Sequence, residues 1–357
     1  MKRNSSNSTS GELKEEPGKQ FRKGGSNLNR LHYGSQSNNS DAKGLLGRLV
    51  KDFRSSLKPP ETEEWINQYF NRPIAFFIAK AFQKIRFTPN SITVLSMVCG
   101  VLSGYFFSKL DTSSVVIAAI LLEMMILLDC ADGQLARMVG KSSSFGKTLD
   151  GLADFTTHLS IYYGLAYGLY LKEYHYYIFI LAVVAQLSMY LHIILYDHYK
   201  NIFIDVIYPD YVDRLEKLDE IKDRIVRAEN SGKKLQALIS RLYYTFYKIE
   251  NWAISLSYSP NIKNFYEIVP YPEELDEYTK SRFYNEMKLP VRLWSFIGDT
   301  IHLTIFVVFG FLNLVHLIFP VIILGTNGLM ILCIIIQRIR FKRLGLEREL
   351  LWLGRIY

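Results

Sequence analysis

Cysteine is scarce in this chain: three residues in 357, Cys99, Cys130 and Cys333, all in or beside apolar runs, which leaves no disulfide framework. Cys130 reads as a small packing residue rather than a nucleophile. Also absent are a Walker loop, a G-x-S-x-G turn and a dinucleotide fingerprint, and the histidines lack metal spacing. Residues 1–45 have no apolar period. They are rich in Ser, Asn, Gly and Lys, so a disordered basic tail without the apolar core of a secretory signal peptide is expected there.

Apolar residues are plentiful, at 49% of the chain, and the net charge is +8. Such basicity could indicate nucleic acid. The distribution points instead to a bilayer and to no nucleic-acid partner, because long unbroken apolar runs of about 20 residues read as transmembrane helices. Six spans are expected, near 91–109, 113–136, 148–171, 174–196, 293–314 and 318–337. The predicted fold is all-α: an integral membrane bundle of six transmembrane helices with an interfacial amphipathic helix and a cytoplasmic helical insert. Lys and Arg crowd the segment before span one, the link carrying Arg137, Lys141 and Lys147, and the C-terminal tail, whereas the link between spans five and six has no Lys, Arg, Asp or Glu. The positive-inside rule then places both termini on the cytoplasmic side.

Four carboxylates break the apolar pattern at one boundary, in the series Asp129, Asp132, Gly133, Ala136, Arg137, Gly146, Asp150 and Asp154. Ionisable groups at that depth are functional by default. The Pro- and Gly-free run before Asp129 favours helix, and at about 100° per residue Asp129, Asp132, Gly133, Ala136 and Arg137 share one broad face. Asp150 and Asp154, four apart, stack on a second helix with a rise of about 6 Å between them. The short KSSSFGK link makes the two helices antiparallel neighbours, so all four acids can converge. Like charges so close require cations, and oxygen-only ligands suit two hard ions such as Mg²⁺ or Mn²⁺ holding a diphosphate. Gly133 permits close approach of a ligand to the helix backbone, and Arg137 offers a forked cation for phosphate.

Those eight residues resemble the signature of the CDP-alcohol phosphotransferase family, with every fixed position filled at the family's spacing. The resemblance implies a six-span fold, usually a homodimer, that uses Mg²⁺ or Mn²⁺ to break a CDP-linked diphosphate and release CMP. Carried over by position, it implies that Asp129, Asp132 and Asp150 ligate metal, and that Asp154 assists there and acts as general base on the acceptor hydroxyl. It further implies that Gly133, Ala136 and Arg137 line the CDP site and that Gly146 allows close approach. Thr88, Pro89, Asn90 and Thr93 resemble a P-N-x2-T element near the nucleotide; Asn90 as a helix cap is the compatible alternative. The partners implied are a CDP-activated alcohol, with CDP-diacylglycerol favoured, an alcohol acceptor and membrane lipids.

Around the 88–197 region of spans one to four lie further expected units. Residues 46–87 form a helical segment, with an interfacial helix in 61–87 that the family resemblance also implies. Residues 198–290 form the cytoplasmic insert, read as a helical hairpin turning at SGKK; 291–339 carry spans five and six, and 340–357 a basic tail. Asp299 and His302, three apart on span five, suit either an acceptor pocket or helix-to-helix hydrogen bonds. Arg292 and Arg338 suit either an acceptor phosphate or membrane anchoring. Two functions compete with a phosphotransferase: a cation transporter using the acids as an ion path, and an inactive scaffold of the same fold. Acids at one boundary rather than mid-bilayer, and no internal repeat, weigh against transport.

Overall fold

Thr88 and Asp111 start the two helices that matter most. The Thr88 hydroxyl accepts the Ser91 backbone N–H at 3.2 Å, and Asp111 Oδ1 accepts that of Ser114 at 3.0 Å, each satisfying a donor that a helix start leaves open. In the computed structural model, residues 44–140, 144–208, 218–233 and 275–344 are described, with scattered positions between 237 and 254. Among these, the secondary structure is entirely helical.

In chain order, α1 is Leu45–Ser56, α2 Arg72–Lys84, α3 Pro89–Phe107, α4 Thr112–Val139, α5 Ser144–Glu173, α6 Tyr177–Ile207 and α7 Leu218–Asn230. Then follow α8 Glu277–Trp294, α9 Asp299–Phe311 and α10 Val315–Leu344, the last opening on a 3-10 turn and carrying a π-helical turn at Val321–Thr326. Helices α3, α4, α6 and α10 are long and apolar enough to cross a membrane; the pair α8–α9, bent by 42° around Gly298, makes a fifth if taken as one span. The chain is thus a membrane protein by its helices. The remaining expected span corresponds to α5, a 30-residue helix that carries Asp150, Asp154, Lys172 and Glu173. Two boundaries differ from the sequence reading: α6 runs on to Ile207, and α8 begins at Glu277, because amphipathic turns extend the apolar runs at their ends.

Four short links close with one left-handed residue each: Arg86 after α2, Leu110 between α3 and α4, Tyr174 between α5 and α6, and Asn313 between α9 and α10. Only asparagine among these visits that region readily, so the packing on either side holds the other three there.

Glycines bring α3 and α5 into backbone contact. A Cβ on Gly104 would lie 2.3 Å from the Ser160 carbonyl oxygen, one on Gly164 2.1 Å from the Gly104 oxygen, and one on Gly100 2.2 Å from Thr157 Oγ1. Two hydroxyls fasten the approach, Ser160 to the Val101 carbonyl at 3.0 Å and Ser103 to the Ala118 carbonyl on α4 at 2.8 Å. Small residues and hydroxyls are how helices associate where lipid tails remove the hydrophobic drive between them. The consequence is positional: α5 is clamped beside α3 and α4 with Asp150 and Asp154 facing the acids of α4.

Against the other side of α4 packs the segment from α1 to α2. Ala75, Phe76 and Ala79 are buried there, whereas Trp65, Tyr69, Phe70 and Phe77 are exposed. Of the expected hairpin, α7 and a turn at Ser231–Gly232 are described; most of the second arm, the 1–43 stretch and residues 345–357 lie outside the described residues.

Candidate active site

Asp129 and Asp132 project from α4, and Asp150 from the first turns of α5. One carboxylate oxygen from each lies within 4.8 Å of the others. Asp132 is buried, Asp129 half-buried, and Asp150 keeps solvent access. Asp154 lies one turn beyond Asp150 on the same face, in the field of all three. Three acid oxygens at that separation match the donor set of a hard divalent ion, which takes carboxylate oxygen and shares phosphate.

The groups around the acids are fixed by neighbours. Thr93 on α3 donates to Asp132 Oδ2 at 2.5 Å and so fixes the Asp132 carboxylate. Arg137 Nε donates to the Ser56 carbonyl at 2.7 Å, so the end of α1 sets where the guanidinium sits. Gln134, two residues from Asp132 and buried, ties the same region down through Ser56 Oγ and the Arg72 carbonyl, each at 3.2 Å. A Cβ on Gly133 would sit in van der Waals contact with the Arg137 guanidinium at 3.6 Å, so the guanidinium lies over this glycine. Ala136 is half-buried on the same helix and Gly146 lies in the first turn of α5. Asn90 is the second residue of α3; the cap of that helix is Thr88, so capping is not the task of Asn90.

Four charged side chains around the motif, Lys58, Glu63, Glu64 and Arg72, had no role at the site by sequence. Lys58, between α1 and α2, feels Glu63, Lys200, Arg72 and Arg137; burial pushes its ammonium below the usual range while Glu63 pulls the other way. Its positive charge also acts on Asp129 and Asp150. Glu63 pairs with Arg72 at 2.8 Å, and although burial works to raise its carboxyl, Arg72 prevails and leaves it below the ordinary value. Glu64 accepts the backbone N–H groups of Thr300 and Ile301 at 3.2 and 3.0 Å, capping α9; burial and then the charge of Asp299 push its carboxyl up to about 8. No periodicity marks these residues. They become neighbours of the acids only through the packing of the α1–α2 segment on α4.

The acceptor-side residues expected from sequence part company. Asp299, first residue of α9, pairs with His158 of α5 at 3.0 Å, and its charge acts on Asp154. His302 is fully buried and stacks on His192 of α6, their ring nitrogens 3.1 Å apart. Arg292 donates to the Glu63 carbonyl at 2.9 Å and to Gln68 Oε1 at 2.8 Å, which fixes the α8 end to the α1–α2 segment. Arg338 is exposed on α10.

Residues 86–209 match the CDP-alcohol phosphatidyltransferase family. Among curated proteins, an archaetidylinositol phosphate synthase of Pyrococcus horikoshii is 35% identical over 91 residues, 26% of this chain and 47% of that protein. A phosphatidylinositol phosphate synthase of Corynebacterium glutamicum is 32% identical over 92 residues, 26% of this chain and 41% of that protein. The chain therefore spans less than half the length of each of these relatives. The matched stretch contains α3 to α6, all four motif acids and Thr93. By that match, residues 86–209 are similar to the CDP-alcohol phosphatidyltransferase family.

Proposed function

We propose that this protein is a membrane phosphotransferase that moves a substituted phosphate from a CDP-activated alcohol to an acceptor hydroxyl and releases CMP, in phospholipid biosynthesis. One observation carries the reading: carboxylate oxygens from two helices gathered within 4.8 Å, one of them the helix that holds Arg137 over Gly133. Asp129, Asp132, Asp150 and Asp154 would hold two divalent ions, Mg²⁺ or Mn²⁺, which when bound supply charge neutralisation at the diphosphate. Arg137, Gly133, Ala136, Gly146 and Asn90 line the CDP side.

Asp154 takes the proton of the acceptor hydroxyl. The acceptor oxygen forms a bond to the phosphorus distal to cytidine, the bridging P–O bond breaks, and CMP leaves. Base catalysis of this kind contributes about 10²- to 10⁴-fold, the remainder coming from positioning and charge. The names of both relatives end on a lipid inositol phosphate, which supports CDP-diacylglycerol as donor and a phosphorylated alcohol as acceptor. The distribution of Lys and Arg supports six spans with both termini and the acids on the cytoplasmic side. The exposed aromatics between Trp65 and Phe77 support an interfacial placement of that segment. The family resemblance supports a homodimer.

The test is direct: purified protein with Mg²⁺ or Mn²⁺ is offered a panel of CDP-alcohols and acceptors, and CMP is followed. Release of CMP with one pair is expected. Failure to cleave any CDP donor, with folded protein and bound metal verified, sinks the reading in favour of cation transport or a scaffold.

A further inference from the structure

His158 lies two turns beyond Asp150 and one beyond Asp154 on the same face of α5, and its Nε2 meets Asp299 Oδ1 of α9 at 3.0 Å. The two partners differ in surroundings: the His158 side chain is 3% exposed, whereas Asp299 keeps 31% of its side-chain surface. His158 Nδ1 is buried and makes no hydrogen bond, and the approach of Nε2 to the buried Asp299 Oδ1 is a close polar contact rather than an aligned hydrogen bond. The ring is braced edge-on by Tyr190 of α6, centroids 5.9 Å apart. A histidine–carboxylate pair at this depth is a poor source of stability in a bundle that could have packed two apolar groups instead. An intramembrane pair beside an ionic site points to function.

Asp299 is not one of the three acids whose oxygens converge, yet its charge acts on Asp154, Asp129 and Asp150. Glu64 fixes its height by capping the next two residues of α9, and His158 fixes its direction. What remains is a carboxylate held by His158, one turn along α5 from Asp154, with its Oδ1 buried and part of its side-chain surface open. Such a group accepts hydrogen bonds from hydroxyls and turns phosphates away.

Resting on the phosphotransferase reading, we propose that Asp299 binds a second hydroxyl of the acceptor, next to the one that Asp154 deprotonates, and that His158 is the positioning residue that holds Asp299 there. The acceptor class is then an alcohol with neighbouring hydroxyls rather than an amino alcohol with one. Its phosphate lies away from Asp299.

The experiment compares acceptor and donor KM for the full chain and for Asp299→Asn, His158→Leu and His158→Gln, using CDP-diacylglycerol, Mg²⁺, and inositol phosphate, glycerol phosphate or serine. Turnover by the unaltered protein with a polyol phosphate is expected. Asp299→Asn and His158→Leu should raise its acceptor KM about tenfold, as loss of one hydrogen bond to a charged group does, while the donor KM moves less than about twofold. His158→Gln, whose amide nitrogen can stand where Nε2 does, should recover most of the loss; a merely space-filling role would not discriminate leucine from glutamine in this way.

An unmoved acceptor KM, an equal rise in donor KM, a changed Mg²⁺ requirement, or glutamine as impaired as leucine each overturns the assignment. Turnover with serine alone overturns the polyol class. If the unaltered protein releases no CMP from any donor in the wider panel, the phosphotransferase reading itself has failed and takes this one with it; with an active unaltered protein, only the acceptor assignment is at stake.

Discussion

Two polar clusters sit inside one apolar bundle, and they are built on opposite terms. In the first, Asp129, Asp132 and Asp150 bring like charges within 4.8 Å of each other, with Asp154 and Asp299 adding theirs. In the second, around α6, α9 and α10, neutral partners answer one another: His192 Nδ1 meets His302 Nε2 at 3.1 Å, His192 Nε2 meets Asn327 Oδ1 at 3.0 Å, and Asn327 Nδ2 donates to Ser188 at 2.9 Å. Where lipid surrounds a bundle, a polar group whose partners are other side chains glues helices. One surrounded by its own charge waits for something from outside.

The sharpest way to break this contrast is to remove a charge from the first cluster. Asp154→Asn keeps the shape of the side chain but can no longer take a proton, and CMP release should fall by about 10²- to 10⁴-fold while the protein stays folded and membrane-extracted as before. Asp150→Asn should lose turnover as completely. Near-normal CMP release in either variant would make the acids structural and erase the distinction.

A second test leaves every charge alone and moves the helix that carries two of them. Gly104→Val places carbon where the Ser160 backbone now sits, so α3 and α5 must separate. Overpacking of this sort costs about 3 kcal/mol, near the upper end of the usual range, and should lower the thermal midpoint and turnover together. Gly151→Val, on α5 with nothing within 4 Å of the added Cβ, should cost far less stability.

What could be read from sequence divides along the same line. The gathering of Asp129, Asp132 and Asp150 was legible because spacing alone puts the α4 acids on one face and the link to α5 is short; Asp154, expected with them, is not among the three whose oxygens converge. The small-residue pairs Gly100 and Gly104, and Gly164 and Gly168, stood in the sequence at the interval that lets helices touch, a signal that the apolar runs obscured. The break of the fifth apolar stretch at Gly298 had a marker too, a glycine before Asp299. Lys58, Glu63, Glu64 and Arg72 had none. Their place beside the site depends on how the α1–α2 segment folds onto α4, over contacts more than 200 residues apart in the case of Glu64 and Thr300.

Glu64 joins the two clusters, since it caps the helix that begins with Asp299 and contains His302. Its carboxyl, at about 8 in the fold against 4.5 ordinarily, holds a proton that an unfolded chain gives up. Folding therefore takes up a proton between those values: the associated stability is complete below about 4.5 and is lost as pH rises through about 8. Across pH 5 to 8 the loss should be on the order of 2 kcal/mol after relaxation. Thermal midpoints of Glu64→Gln should lack this decline, and an unchanged slope would show that the group titrates normally.

The smallest effect expected is in the second cluster. His192→Leu removes both of its bonds at once and leaves His302 Nε2 and Asn327 Oδ1 without their present partners, but interhelical bonds in bilayers have neighbours ready to replace them. The π-helical turn at Val321–Thr326 sets the direction of Asn327 and can relax toward Ser188. A loss of about 1 kcal/mol in stability is expected. Acceptor KM and donor KM should stay within about twofold of the unaltered protein, because no charge near Asp154 has changed. Kinetics that collapse while stability holds would move His192 into the reaction and show that a satisfied network in this bundle is not thereby a structural one.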